Sequence, residues 1–319
     1  MKLVTTAVAA GLGCAMPAQA AQGQAQEAPD AETEVSDRYR SAMQSARWMG
    51  PMLASTASTL PKGHFFTQPY FFDSISGGTH YPGSTGFYQY GLVDEVTVGL
   101  QPNFALGVHG PDRGPAVGDL KLLGQVRLTN FTPENRIPTV SLILNESLPI
   151  GEYDRLGPSE VGHGSGSFAT EIGVNVQHYF LLKNGRLLRG RINVLQRFPH
   201  GADVKDRSVY GTKPGFRGQA SPGNKTTVIL AAEYSVTREW VLALDIIRES
   251  TTKTIVKGHD ADGSPVKHIF PSTRYVGFAP AIEYNWSDTS GVLLGVWIAP
   301  KGHNRASSVT PAISFSRFW

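Results

Sequence analysis

Two short stretches of the chain carry residue types that can do chemistry. In "GHGSGS", residues 162–167, His163 stands two residues before Ser165, a spacing at which an imidazole could take a hydroxyl proton and leave a nucleophile. In "GHDADGSPVKH", residues 258–268, Asp260 and Asp262 lie between His259 and His268, donors that could meet at a cation. A calcium loop needs more oxygen ligands at regular spacing and a closing Glu, and Asp262-Gly263 reads more simply as a turn. There is no Walker loop or dinucleotide fingerprint. The single cysteine, Cys14, allows neither a thiolate cluster nor a disulfide framework. No metal or cofactor is expected, and a net charge of +3 is too slight to point to nucleic acid.

A third constellation is spread more widely. In "LLRGRINVLQRFP", Arg189, Arg191 and Arg197 share one parity and Leu188, Ile192 and Val194 the other. The element that can hold such a row is a strand, whose side chains alternate between two faces. The same period of two runs through "FATEIGVNVQHYF", with Ile172, Val174 and Val176 against Glu171, Asn175 and Gln177. It returns in "TTVILAAEYSVTREWVLALDIIRES", in "RYVGFAPAIEYNW", and in "DLKLLGQVRL", where Asp119, Lys121, Gln125 and Arg127 take the polar face. Parity puts His163 and Ser165 on the side of Glu171 and Asn175, away from the apolar face.

The connections decide between a soluble sandwich and a membrane barrel. Long polar segments fall near residues 74–85, 107–117, 151–166, 199–225, 257–273 and 299–308. Short turns fall between them, near 93–95, 131–138, 182–186, 237–239 and 287–291. Long and short connections alternate, as an up-and-down membrane barrel requires. The expected fold class is therefore all-β: a transmembrane antiparallel up-and-down barrel of about twelve strands, preceded by a short segment outside the barrel. The polar parity must then face the lumen, because lipid accepts no charge and no open sheet edge. Lys121, Arg127, Glu171, Arg189, Arg191, Glu233, Asp245 and Glu283 are the expected lumen wall, and Tyr88, Tyr90, Trp240, Tyr284 and Trp286 suit interface girdles.

The ends of the chain fit export. Residues 1–20 combine Lys2, an apolar run and Ala18-Gln19-Ala20, the pattern of a cleaved signal peptide. Beyond it no apolar run is long enough for a membrane helix. Residues 21–60 do not alternate; they read either as a loose leader or as a plug inside the barrel, with a short helix capped by Ser36 or Asp37 and stopped by Gly50-Pro51. Residues 61–319 form the expected barrel. Its last strand, "SVTPAISFSRFW", puts Val309, Ile313, Phe315 and Trp319 on one face, and it resembles the aromatic insertion signal of bacterial outer-membrane barrels, with Phe315 and Trp319 read by the insertion machinery.

Three stretches, "ARWMGPMLASTASTLPKGHFFTQPYFFDS", "GFYQYGLVDEVTVGLQPNFAL" and "GDLKLLGQVRL", together resemble the outer-membrane family labelled MetA-pathway of phenol degradation. The family's Leu-Pro-x-Gly entry is matched by Leu60, Pro61 and Gly63, and its Gly-Leu-x-Asp/Glu turn by Gly91, Leu92, Asp94 and Glu95. The resemblance implies a barrel tied to uptake of aromatic or other poorly soluble compounds. The expected activity is passive transport of small solutes, aromatic or hydrophobic ones among them, across the bacterial outer membrane. Outer-membrane lipids and the solute itself are the expected partners. Two alternatives stay open: a closed structural or adhesive barrel working through its long loops, and a lipid hydrolase using His163 and Ser165.

Overall fold

The computed structural model describes residues 31–106, 115–158 and 160–319; the expected signal peptide and the first part of the leader lie outside the described residues. In chain order the elements are α1 (Ala31–Gln44), β1 (Phe65–Ser76), β2 (Thr79–Val93), β3 (Val96–Gln101), β4 (Asn103–Ala105), β5 (Ala116–Val117), β6 (Leu120–Thr129), β7 (Thr139–Leu148), β8 (Ala169–Leu181) and β9 (Leu187–Pro199). They continue as β10 (Ala202–Lys205), β11 (Arg217–Ser221), β12 (Lys225–Ser235), β13 (Trp240–Thr251), β14 (Thr254–His259), β15 (Pro265–Phe270), β16 (Thr273–Tyr284), β17 (Ser290–Ala299) and β18 (Ser308–Phe318).

Twelve of the strands, β1, β2, β3, β6, β7, β8, β9, β12, β13, β16, β17 and β18, form one antiparallel wall. It closes because β1 pairs with β2 on one side and β18 on the other. At the seam Phe65 and Trp319 exchange backbone hydrogen bonds of 2.8 and 3.0 Å, so the first and last strands of the wall pair with each other. Among the described residues no helix is long and apolar enough to cross a membrane; the crossing is made by strands.

The wall is inside out relative to a soluble protein. Leu144 keeps 62% of its surface exposed, while Glu233, Asp245 and Glu283 are fully buried. Leu142, Ile172, Val174, Ile192, Leu242 and Leu244 are likewise exposed. In water this arrangement would forfeit the hydrophobic contribution to folding; in a bilayer it is the stable one. Where the sequence sets an apolar and a polar parity, as in β6, β8, β9, β12 and β13, the observed faces follow it.

Three local expectations are corrected. The segment near 74–85 is not a long loop, because β1 and β2 pair as far as Ser76 and Thr79. The turn between them is Gly77-Gly78, with φ of +57° and +81°, two left-handed positions that suit glycine and match the twist of a hairpin. The long connections at 199–225 and 257–273 are also not structureless. They carry β10, β11, β14 and β15, a second four-stranded sheet with Val204, Tyr210, Phe216, Ala220 and Val256 as a small core of its own. Finally, α1 reaches back to Ala31 and stops at Gln44, so Ser36 is no cap; it sits within the helix and its hydroxyl donates to the Pro133 carbonyl at 3.2 Å. The helix docks on the short turns of the barrel, with the Tyr39 ring tilted against Phe131 at 5.7 Å and Arg40 paired to Glu134. Glu134 is held below the usual carboxylate range by the Thr132 hydroxyl, its own backbone N–H and Arg40.

Candidate lumen and solute pathway

The inward faces are set by the register. Glu233 lies directly opposite Arg189, and Asp245 opposite Ala231 and Ala279, so charged side chains from neighbouring strands meet at mid-height. Arg189 Nε donates to Glu233 Oε2 at 2.8 Å and its second nitrogen reaches Glu233 Oε1; Arg191 Nε lies 3.1 Å from Glu233 Oε2. Nearer the loop end, Lys121 Nζ is 3.3 Å from Glu171 Oε1, which also accepts from Asn145 at 2.9 Å. Arg127 stands at the opposite rim, 3.9 Å from Glu95. Seven of the eight expected wall residues are thus buried or half-buried along the lumen, and Arg127 belongs to the turn end. Phe315 and Trp319 are exposed on the outer face at that same end.

The partner that sequence reasoning left open is the chain itself. Residues 47–60 enter beside Asn285 and Asp288, rise, cross the lumen and descend to β3. Met49 N–H donates to Glu283 Oε2 at 2.9 Å, and Leu53 and Ala54 N–H both donate to Asp245 at 3.1 Å. From the wall, Arg191 donates to Ala54 O at 2.9 Å, Asn193 to Ser55 O at 3.0 Å, and Gln125 and Asn175 to Thr56 O at 3.0 and 3.1 Å. Ser141 donates to Ala57 O, and Leu60 N–H to Thr97 Oγ1 at 2.8 Å. A non-repetitive segment taken out of water must find a partner for each backbone group, and the polar parity of β3, β6, β7, β8, β9, β13 and β16 supplies them. A twelve-stranded wall is wider than the eight-stranded one that side chains alone just fill, which leaves room for this extra chain.

The other side of the lumen differs in character. The inward residues of β1 and β2 are Phe66, Gln68, Tyr70, Phe87 and Gln89, joined by Trp297 of β17, and they line one side of a cavity of about 450 Å³ whose other side carries Lys121, Glu171, Arg189, Arg191, Lys225 and Glu249. No charged side chain comes from β1, β2 or β18 at this level. Gln68 is buried and its Nε2 has no hydrogen-bond partner among the described residues. These residues were not singled out from sequence. "FFTQPYFF" alternates, yet both of its faces are aromatic, so parity there could not tell lumen from lipid.

Two of the remaining motifs are structural. Ser165 Oγ donates to Asp119 Oδ2 at 2.6 Å and its N–H reaches the same oxygen at 2.8 Å, so the hydroxyl ties the 151–168 connection to β6. Asp262 accepts from the Ser264 hydroxyl and N–H at 2.6 and 2.9 Å, bonds that lower its pKa, and Gly263 has φ +82°; this is the β14–β15 turn. Among the described residues no group of His, Cys, Asp and Glu is placed to hold a metal.

A closed twelve-stranded wall, apolar outside and charged within, defines a transmembrane β-barrel of the bacterial outer membrane. The chain belongs to the family described as "Putative MetA-pathway of phenol degradation", whose model matches residues 62–299. Among solved structures it is similar to the COG4313 outer membrane channel from Pseudomonas putida F1, at 12% identity and TM-score 0.57, over 84% of this chain and 100% of that one. It is also similar to the NanC porin, at 10% identity and TM-score 0.48, over 78% and 98% of the two chains. The Ralstonia pickettii toluene transporter TbuX matches at 12% identity and TM-score 0.40, over 86% and 95%. At these identities the likeness to the P. putida channel speaks for the fold. No curated protein sequence matches the chain.

The two motifs shared with the family turn out to be one contact. Gly63 N–H donates to Gly91 O at 2.8 Å, Gly91 N–H donates to His64 O at 3.0 Å, and Lys62 N–H donates to Asp94 Oδ1 at 2.9 Å. A Cβ on Gly91 would lie 2.1 Å from Pro61 O and 2.7 Å from Leu60 O. Glycine is required there so that the descending arm of residues 47–60 can lie flat on β2. Gly91→Ala is expected to destabilise the barrel by about 1–3 kcal/mol through overpacking, read as a lower urea midpoint of the refolded protein. A midpoint equal to wild type would show that the arm can shift freely.

Proposed function

We propose that the protein is a passive channel that admits small neutral aromatic solutes, and that these move along the aromatic side of the lumen rather than along its charged wall. The carrying observation is the division of the interior. The charges are bound by one another and by residues 47–60, and the free space, which Lys121, Glu171, Arg189 and Arg191 line on one side, is bounded on the other by Phe66, Tyr70, Phe87 and Trp297. An aromatic solute gains contact area there without displacing an ion pair, and the Gln68 amide offers a hydrogen bond to a polar substituent. Family membership supports the same reading. In this proposal residues 21–60 are a plug segment that narrows the path, residues 61–319 the barrel, and Phe315 and Trp319 the signal recognised at insertion. Transport by diffusion needs no reaction step, so no chemistry is assigned to His163 or Ser165.

The test is uptake into liposomes containing refolded protein, with a small neutral aromatic, a sugar of similar size, and protein-free vesicles as controls. Faster entry of the aromatic alone is expected, and Phe87→Asp should slow it several-fold by placing a solvated charge in the path. Equal acceleration of both solutes would mean a general pore. No acceleration of either by a folded barrel would end the transport reading and favour a closed structural barrel.

A further inference from the structure

On β13 the apolar outer surface stops at one row. The outward side chains run Trp240, Leu242, Leu244 and Ile246, then change to Arg248 and Ser250. The steps from Trp240 to Ser250, at roughly 3.3 Å each along a strand tilted by about 40°, climb roughly 25 Å, the height of the apolar band of such a barrel. Ser250 therefore stands at the level of the outer-leaflet headgroups. The ladder places Ser250 opposite Thr226 on one side and Arg274 on the other, and Thr226 opposite Gln196. Arg274 is in turn bridged to His303. Directly opposed residues share a face, so Gln196, Thr226, Ser250, Arg274 and His303 stand abreast on the lipid side, about 4.8 Å apart from strand to strand.

This row is a built feature rather than scattered surface polarity. Its residues, with Asn224, Thr252 and Ser272 above them and Phe198 at one side, line an open cavity of about 660 Å³, and Thr226 Oγ1 donates to Gln196 Oε1 at 2.6 Å. Arg248 and Arg274 are exposed and neither has a carboxylate partner among the described residues. The acid next in sequence, Glu249, points inward, where it is bound to Lys225 at 2.9 Å and to the Tyr275 hydroxyl. Immediately below lie Ile246, Val276 and Phe278, all exposed.

We propose that this row is a binding site for a phosphorylated lipid of the outer leaflet. Arg248 and Arg274 neutralise the phosphate, the hydroxyls of Ser250 and Thr226 bond the headgroup, and the acyl chains lie along the apolar rows beneath. Two unpaired guanidiniums beside a hydroxyl-lined cavity call for an anion with several acceptor oxygens, and the adjoining apolar wall calls for that anion to carry hydrocarbon. The proposal rests on the outer-membrane placement of the barrel and not on what passes through its lumen.

The test compares bisphosphorylated lipid A, dephosphorylated lipid A and inorganic phosphate as ligands of the purified, refolded full chain, with bound lipid read by native mass spectrometry. The phosphorylated lipid is expected to survive detergent exchange on the wild type. Affinity should fall by about tenfold or more, the equivalent of 1.4 kcal/mol, in Arg248→Gln/Arg274→Gln. Arg317→Gln, at the turn end of the barrel, should bind as the wild type does. Both exposed arginines can be changed without touching the lumen, and folding is checked by heat-modifiable gel migration; should the double variant misfold, Arg274→Gln alone replaces it and must still weaken binding. Equal binding of the dephosphorylated lipid, or undiminished binding by the arginine variants, overturns the proposal. So does failure of the wild type to retain lipid. Displacement of the lipid by inorganic phosphate would assign the row to free phosphate and equally overturn the lipid reading.

Discussion

A barrel lacking residues 47–58 will conduct several times more current in a planar bilayer than the full chain. The segment crosses the lumen at mid-height, held from Glu283 and Asp245 on one side to Gln125 and Thr97 on the other. Removing it opens a water-filled passage about one polypeptide wide. The same deletion leaves Asp245, Asn193 and Arg191 without the backbone groups that they now bind, and each buried group so orphaned costs about 1–3 kcal/mol until water enters to replace it. The shortened protein should therefore also unfold at lower urea. Asp245→Ala provides a version with the chain whole: it removes the acceptor of two N–H groups and should turn a steady small current into a fluctuating one. Unchanged conductance in the deletion variant, with the barrel shown to be folded, would mean that the segment does not control the passage.

The second large effect is expected at Glu233. Its carboxylate is fully buried and serves both Arg189 and Arg191, with Arg189 also lying 4.7 Å over the Trp48 ring. Glu233→Ala leaves two buried guanidiniums without their directly bonded carboxylate, and breaking a buried pair from one side costs about 3–5 kcal/mol. Replacing all three residues by Met should cost much less, because no unpaired charge remains. Urea unfolding of the refolded variants in detergent micelles distinguishes the two cases. If Glu233→Ala proved as mild as the triple replacement, the cluster would be hydrated rather than dry.

Some of the lumen could be read directly from residues. Arg189, Arg191, Glu233, Asp245 and Glu283 were identified by parity alone, because an alternating strand in a bilayer has one face that tolerates charge and one that does not. What parity could not reveal was their use. "MGPMLASTASTL" has no period of either helix or strand, and it is held mainly through its backbone, which is the same in every residue. Nothing in its side chains marks it as the occupant of the lumen. The helix before it differs from the sequence expectation for a related reason: Ser36 suits a cap, but its contact with Pro133 comes from a turn far away in the chain. The aromatic wall of β1 and β2 was missed because Phe65, Phe66, Phe71 and Phe72 occupy both parities, and only the partner strands show which ring faces in.

By itself the sequence determined the strand number, the inward and outward parity of the strands with one polar face, and the membrane setting, because each follows from a local contrast between neighbouring side chains in lipid and in water. The tertiary structure alone decided that residues 47–60 fill one side of the barrel and that the Leu60–Gly63 and Gly91–Glu95 motifs clasp each other. It alone set Gln196, Thr226, Ser250, Arg274 and His303 in one row. These arrangements depend on which residues the register brings opposite one another from distant parts of the chain, and period two is blind to register.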